Sequence, residues 1–260
     1  MKTIEWIKAH ELPEGGIEAW DGLGQPYPEV TGYLIPTLLD YGENELAERL
    51  GDWLESIQNK DGSFDGLDGI PRAFDTAACY EGLKALNRPA ADRALIWLKS
   101  QMFGDGKIHT SPEQKYFDVY NYRALALMGE KQPNENITGT RTHYHAYALE
   151  GFYRMGNDIT AELERYAQYK SLLPMNMTGG GTDTSATAQI AVLCLKNSIP
   201  CNGLIDAVRA QVDTDGGVFH DSGDRRKCSW AAKFYLDMEF LCQTTKSTGK
   251  TGKTKKSRSA

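Results

Sequence analysis

Long apolar runs are missing from this chain. No stretch of its 260 residues approaches the ~20 apolar residues needed to span a bilayer, so no transmembrane segment is expected. The opening stretch, Met1 to Gly16, lacks the apolar core of a secretory signal. Cysteine is sparse, with five residues, an odd number, and no pair at CxxC spacing. Cys79, Cys194 and Cys242 sit inside apolar helical patterns, as buried thiols of a reducing compartment do. A cytoplasmic protein is expected. No His, Cys and Asp set stands at the spacing of a zinc site. Neither a metal nor a cofactor is expected. Positive charge is also scarce outside the C-terminus. The formal net charge is -6, yet Lys246 to Ala260 carries six basic residues and no acid. The remaining body is strongly acidic. That excludes a nucleic-acid-binding core, because phosphate recognition needs clustered Lys and Arg.

What the chain does have is internal repetition. Trp53-Leu54, Gln58, Asp61-Gly62 and Phe64 are matched by Trp97-Leu98, Gln101, Asp105-Gly106 and Ile108, and the two Asp-Gly turns lie 44 residues apart. A weaker copy runs through Gln211, Asp215-Gly216 and Phe219, and a degenerate one through Trp6, Gly15-Gly16 and Trp20. Each copy is an amphipathic helix ended by a glycine turn. A second helix rich in small residues follows, over 27–41, 75–86, 118–128, 142–155, 183–195 and 229–241. Such helices suit a crowded inner layer, while the charged partners, such as 43–59 and 158–170, meet water. The fold class expected is all-α: an α/α toroid of about six helix hairpins, with inner and outer rings, over 1–245. A basic disordered tail is expected over 246–260. The hairpin around Gly129 to Arg141 is irregular, with a short or missing outer helix. Gly179-Gly180-Gly181 is taken as another repeat turn in preference to an anion cradle.

The Gln58, Asp61-Gly62, Phe64 element resembles the QW repeat of terpenoid cyclases and protein prenyltransferase β-subunits, which share an α/α toroid. Further segments resemble a little-characterised bacterial branch of that superfamily found beside cell-surface polysaccharide genes. They include Tyr27 to Leu38, Phe74-Asp75-Thr76, Thr142 to Gly151, Thr182 to Ile190, and Ser229 to Phe234. The resemblance covers residues 1 to 243 and implies fold more than reaction. The acidic DxDD motif of class II cyclases is absent, as is the zinc set of prenyltransferases.

In such a ring the inner helices run parallel, so their N-termini converge on one mouth, each with unpaired N–H groups and partial positive charge. The candidate catalytic residues there are His143, Tyr147, Lys233, Glu29 and Asp75. The candidate substrate-binding residues are Tyr33, Asp118, Tyr122, His145, Asp183 and Trp230. Plainer roles compete. Asp75, Asp118 and Asp183 stand where helix N-caps belong, and Glu29 follows Pro28 at a helix start that favours an acid. Tyr33, Tyr122 and Tyr147 double as core aromatics. His143 and His145, two apart on a helix, point in opposed directions. Of the two, His143 shares a face with Tyr147 and Glu150. Lys233 must either pair in the cavity or snorkel outward.

Polar groups mixed with aromatic rings favour a saccharide or other small polar ligand. The leading expectation is a saccharide-processing enzyme, a lyase or epimerase on an anionic, uronate-containing cell-surface glycan. His143 or a tyrosine would be the base, and Lys233 would steady the developing charge. Hydrolysis by Glu29 with Asp75 is its variant. The alternatives are an isoprenoid-handling enzyme like the wider superfamily and a non-catalytic glycan- or protein-binding scaffold. Partner proteins are left open.

Overall fold

The computed structural model describes residues 1–251, with side chains through residue 244. The elements run α1 (Lys2–Ala9), α2 (Pro28–Asp40), α3 (Asn44–Ile57), α4 (Ala73–Ala85), α5 (Ala90–Ser100), α6 (Asn121–Leu127), α7 (Thr142–Arg154) and α8 (Thr160–Ala167). They continue with β1 (Leu173–Asn176), β2 (Gly179–Asp183), α9 (Thr184–Lys196), α10 (Asn202–Arg209) and α11 (Ser229–Thr251). The side chains of the expected tail, 246–260, lie outside the described residues. No helix among the described residues is long and apolar enough to cross a membrane.

Helices α2, α4, α6, α7, α9 and α11 form a ring. Each packs on the next, and α11 returns to α2. Thr37 of α2 and Tyr41 just beyond its end tie that seam, donating to Asp237 Oδ1 at 2.6 Å and to the Leu236 carbonyl at 2.8 Å. Small residues let the inner helices approach. A Cβ on Gly32 would lie 2.6 Å from the Ala78 carbonyl oxygen, and one on Gly82 would lie 2.3 Å from that of Gly32. Most of the inner-helix surface is buried, including Ala77, Ala78, Ala146, Ala148, Ala188, Ala191, Ala231 and Ala232.

The outer helices are amphipathic and lie against this ring. α3 packs on α2 and α4, α5 on α4, α8 on α9, α10 on α9 and α11, and α1 on α11. Gln58 and the Asp-Gly turn after α3 lace one outer helix to the next. The Gln58 amide donates to the carbonyls of Gly62 and Ala90, both at 3.0 Å. Gly62 has φ +96°, a conformation cheap only for glycine, and its missing Cβ makes room for the Arg93 carbonyl. Between α6 and α7 the chain forms no outer helix. There Gln132 bonds the Gly106 carbonyl instead, at 2.9 Å.

One element was not expected. β1 and β2 pair antiparallel, with Leu173 opposite Asp183, as a small hairpin leading into α9. Gly179 and Gly180, expected as a repeat turn, belong to this hairpin with φ of +117° and +105°. The strands are four and five residues long, β1 carries a proline and β2 three glycines, so no apolar alternation announces them.

Candidate functional site

A cavity of about 360 Å³ opens where the inner helices begin. Glu29 stands in the first turn of α2, Asp75 in the first turn of α4, and His143, Tyr144 and Tyr147 along the start of α7. With them the wall includes Trp20, Tyr27, Arg72, Phe74, Tyr120 and Trp230. The rings support one another. Phe74 meets Tyr147 edge-on at 4.6 Å and Tyr120 at 5.2 Å, and His143 stacks on Tyr147 at 4.5 Å with 17° between planes.

Glu29 and Asp75 are the two carboxyls of the cavity wall. The Tyr27 hydroxyl donates to Asp75 Oδ2 at 3.2 Å, and the same hydroxyl lies near enough to Glu29 to favour its ionised form. Burial pushes the Glu29 carboxyl up to about 7, against the opposing pull of Tyr27, Arg123 and Arg72. Asp75 is only 2% exposed. Burial holds its carboxyl well above the usual range, and the neighbouring Glu29 charge adds to that. Close carboxyls resist carrying two charges at once. Close packing sets this arrangement. A Cβ on Gly66 would fall 2.0 Å from Arg72 Nη1 and 3.0 Å from Asp75 Oδ2. Arg72 itself is held by Asp68, at 2.7 and 2.5 Å.

His143 lies beside this pair. Its Nδ1 is 3.9 Å from Asp183 Oδ2. Its Nε2 is buried without a hydrogen-bond partner in the described structure. Burial lowers its pKa, with Asp183 pulling the other way, so the neutral imidazole is the resting form. Below the cavity, Arg123, 1% exposed, pairs with Glu81 and with Glu150 at 3.2 Å. Arg154 and Gln189 bond the same acids. This ionic floor closes the ring's centre.

No family model matches the sequence, and no curated protein does. Solved structures do match. The type II terpene cyclase MstE from Scytonema gives a TM-score of 0.70 at 12% identity, covering 94% of this chain and 96% of that one. An alpha-amylase from Clostridium perfringens gives 0.67 at 12% identity, covering 92% and 95%. A glycosidase in complex with glucose gives 0.65 at 11% identity, covering 92% and 95%. The chain shares its fold with these proteins. At these identities the likeness is one of fold.

Within the toroid, Glu29, Asp75, His143, Tyr147 and Trp230 meet in the one mouth cavity. Asp183 reaches it only through His143, because its Oδ1 accepts the Ala186 N–H at 2.8 Å and caps α9. Of the three aspartates expected as caps, it alone is one. Asp75 lies inside α4, which starts two residues earlier, and Asp118 precedes α6, accepting the Asn121 N–H at 2.9 Å with its backbone carbonyl and not with its side chain. Other candidates fall elsewhere. Lys233, 6% exposed, lies in a different cavity with Tyr33, Lys196 and Asp237. Its ammonium pairs with Asp237 Oδ2 at 2.9 Å, one turn further along α11, and sits 4.0 Å over the Phe234 ring. His145 points outward to the Tyr166 hydroxyl at 2.7 Å. Tyr122 packs on Phe117 and Phe152. None of Lys233, Tyr33, Tyr122, His145 and Asp118 lines the mouth. Trp20, Arg72 and Tyr144 do, and the sequence did not single them out as site residues. Trp20 was visible only as part of a degenerate repeat. Arg72 had one signal, its place immediately before an inner helix.

Proposed function

We propose that this chain is a carbohydrate-active enzyme that cleaves or transfers a neutral glycoside by carboxylic acid catalysis. The observation that carries the reading is the Glu29–Tyr27–Asp75 arrangement at the base of an aromatic mouth. Asp75, the more buried of the two, holds the proton. It donates it to the glycosidic oxygen as the bond from that oxygen to the sugar carbon breaks. Glu29, ionised, meets the positive charge left on the sugar carbon, either by bonding to it or by taking a proton from the water that does. Sugar faces stack on Trp20, Trp230 and Tyr144, and tyrosine hydroxyls bond sugar hydroxyls.

The uronate lyase or epimerase form draws less support. It required Lys233 beside the reacting carboxylate, and that ammonium lies in another cavity. Arg72, the cation in the mouth, is already occupied by Asp68. A second reading, a terpenoid cyclase-like enzyme, is favoured by one observation: seven aromatic rings surround a protonated acid, and aromatic faces attract cations.

The test is hydrolysis of aryl glycosides and neutral oligosaccharides. Asp75→Asn should cost about 10²–10⁴-fold on poor leaving groups and little on dinitrophenyl glycosides, which leave without a proton. Glu29→Gln should fail on both. Inertness toward every neutral glycoside, alongside unsaturated products from uronate polymers or cyclised products from polyprenyl substrates, would transfer the mouth to one of the other readings.

A further inference from the structure

Outside the mouth, α1 and the loop after it bring His10, Glu18 and Asp21 together, with one ligand atom of each within 4.8 Å of the others. His10 Nδ1 lies 2.7 Å from the Trp6 carbonyl oxygen. A carbonyl only accepts, so Nδ1 carries a proton. In the neutral ring Nε2 then presents a lone pair, and it faces Asp21 Oδ1 at 3.4 Å and Glu18 Oε1 at 3.8 Å. A lone pair turned on two carboxylates is repulsive unless a cation stands between them.

The spacing chooses among cations. A proton on Nε2 would draw a carboxylate to about 2.7–2.9 Å, the length of a charge-assisted hydrogen bond. Two ligands of a tetrahedral zinc, each about 2.0–2.2 Å from the metal, stand roughly 3.3 Å apart or slightly more. The observed gaps fit the second case. The supporting shell also fits, since a ligating histidine usually gives its other N–H to a carbonyl or carboxylate. Glu18 is buried and positioned by the Gly24 and Gly22 N–H groups, at 2.9 and 3.4 Å. Neither Glu18 nor Asp21 pairs with Lys or Arg among the described residues, so two negative charges await a dication.

We propose that His10, Glu18 and Asp21 form a divalent transition-metal site of zinc type, with water filling the open position. It goes beyond the glycoside reading and does not depend on it. Its place suggests what it does. Glu18 and Asp21 flank Trp20, which walls the mouth, and the Asp21 N–H bonds the Lys227 carbonyl at 3.0 Å, just before α11. A bound ion fastens the Trp20 loop to α1.

Metal-stripped full-length protein is titrated with Zn²⁺ by calorimetry, alongside Asp21→Asn and His10→Ala. One zinc per chain is expected, with a higher melting temperature on binding. Each variant should bind at least about tenfold more weakly. Asp21 is 56% exposed, so Asp21→Asn keeps the fold and the test readable even if His10→Ala does not. Co²⁺ in place of zinc should give ligand-field bands without thiolate charge transfer. No zinc uptake by the wild type, equal uptake by Asp21→Asn, or a thiolate band placing the metal on cysteine would each overturn the site.

Discussion

Glu29 and Asp75 differ from surface carboxylates because burial has removed the water that would stabilise their charge. That has a consequence for stability. A carboxyl whose pKa is higher in the folded chain than in the unfolded one keeps the fold more protonated than the coil. Its contribution is present at low pH and is lost as pH rises through the folded value. For Glu29 the window runs from about 4.5 to about 7. Thermal melts across that window should show the wild type losing stability as pH rises, and Glu29→Gln should flatten the loss. A variant that kept the full slope would mean that Glu29 ionises as freely as a surface acid. The same titration should make activity rise as pH passes about 7, where Glu29 ionises, and fall again where Asp75, held well above the usual carboxylate range, gives up its proton. The ionic floor behaves differently. Arg123 holds Glu150 well below the ordinary glutamate range despite its burial. Arg123→Met would leave Glu81 and Glu150 with Arg154 as their one remaining guanidinium. It should cost about 3–5 kcal/mol in urea unfolding.

At the scale of the element, the inner helices share a device that the repeats did not reveal. Thr31, Thr76 and Thr187 occupy equivalent first-turn positions of α2, α4 and α9. Each hydroxyl accepts a buried backbone N–H from the segment before its helix: Ile17 at 2.9 Å, Phe64 at 3.0 Å and Leu173 at 2.9 Å. Thr76→Val keeps the shape and orphans the Phe64 N–H, which should cost about 1–3 kcal/mol in chemical denaturation. A near-neutral result would mean that water replaces the threonine. The latch was illegible because a threonine in a helix leaves no mark on the apolar pattern. The helices themselves were legible, since their period and glycine turns are written into residues such as Leu50, Leu54 and Gly62. Asp75 was legible as a mouth residue but not as a buried acid. Helix bounds misjudged by two residues turned an interior position into an apparent cap. Lys233 failed for another reason. Its place near the start of α11 pointed to the mouth, but a long side chain follows its partner, and Asp237 stands on the far side.

Closure of the ring is a property of the whole molecule, and it has its own glycine. Gly216, in the last Asp-Gly turn, has φ +100°, and a Cβ there would lie 2.3 Å from the Lys2 carbonyl carbon. The turn thus rests on the backbone of α1 as Gly62 rests on Arg93, and the outer layer meets its own beginning. Lys2 adds a bond from Nζ to the Thr214 carbonyl at 2.9 Å. Gly42 provides the comparison. Its φ is +76°, yet nothing lies within 4 Å of its missing Cβ. Alanine at either position carries the left-handed backbone penalty of about 1 kcal/mol, but only at Gly216 must a neighbouring backbone also move. Gly216→Ala should therefore be less stable than Gly42→Ala by at least about 1 kcal/mol in urea unfolding. The shape of the transition is the sharper test. A closed ring has no free end and should melt as one unit, whereas an opened array gains terminal repeats that unfold independently. Gly216→Ala should lower the denaturant slope, and Gly42→Ala should shift the midpoint alone. Equal slopes in the two variants would mean that the seam between α11 and α2 closes the ring unaided, with the turn at Gly216 adding nothing to its cooperativity.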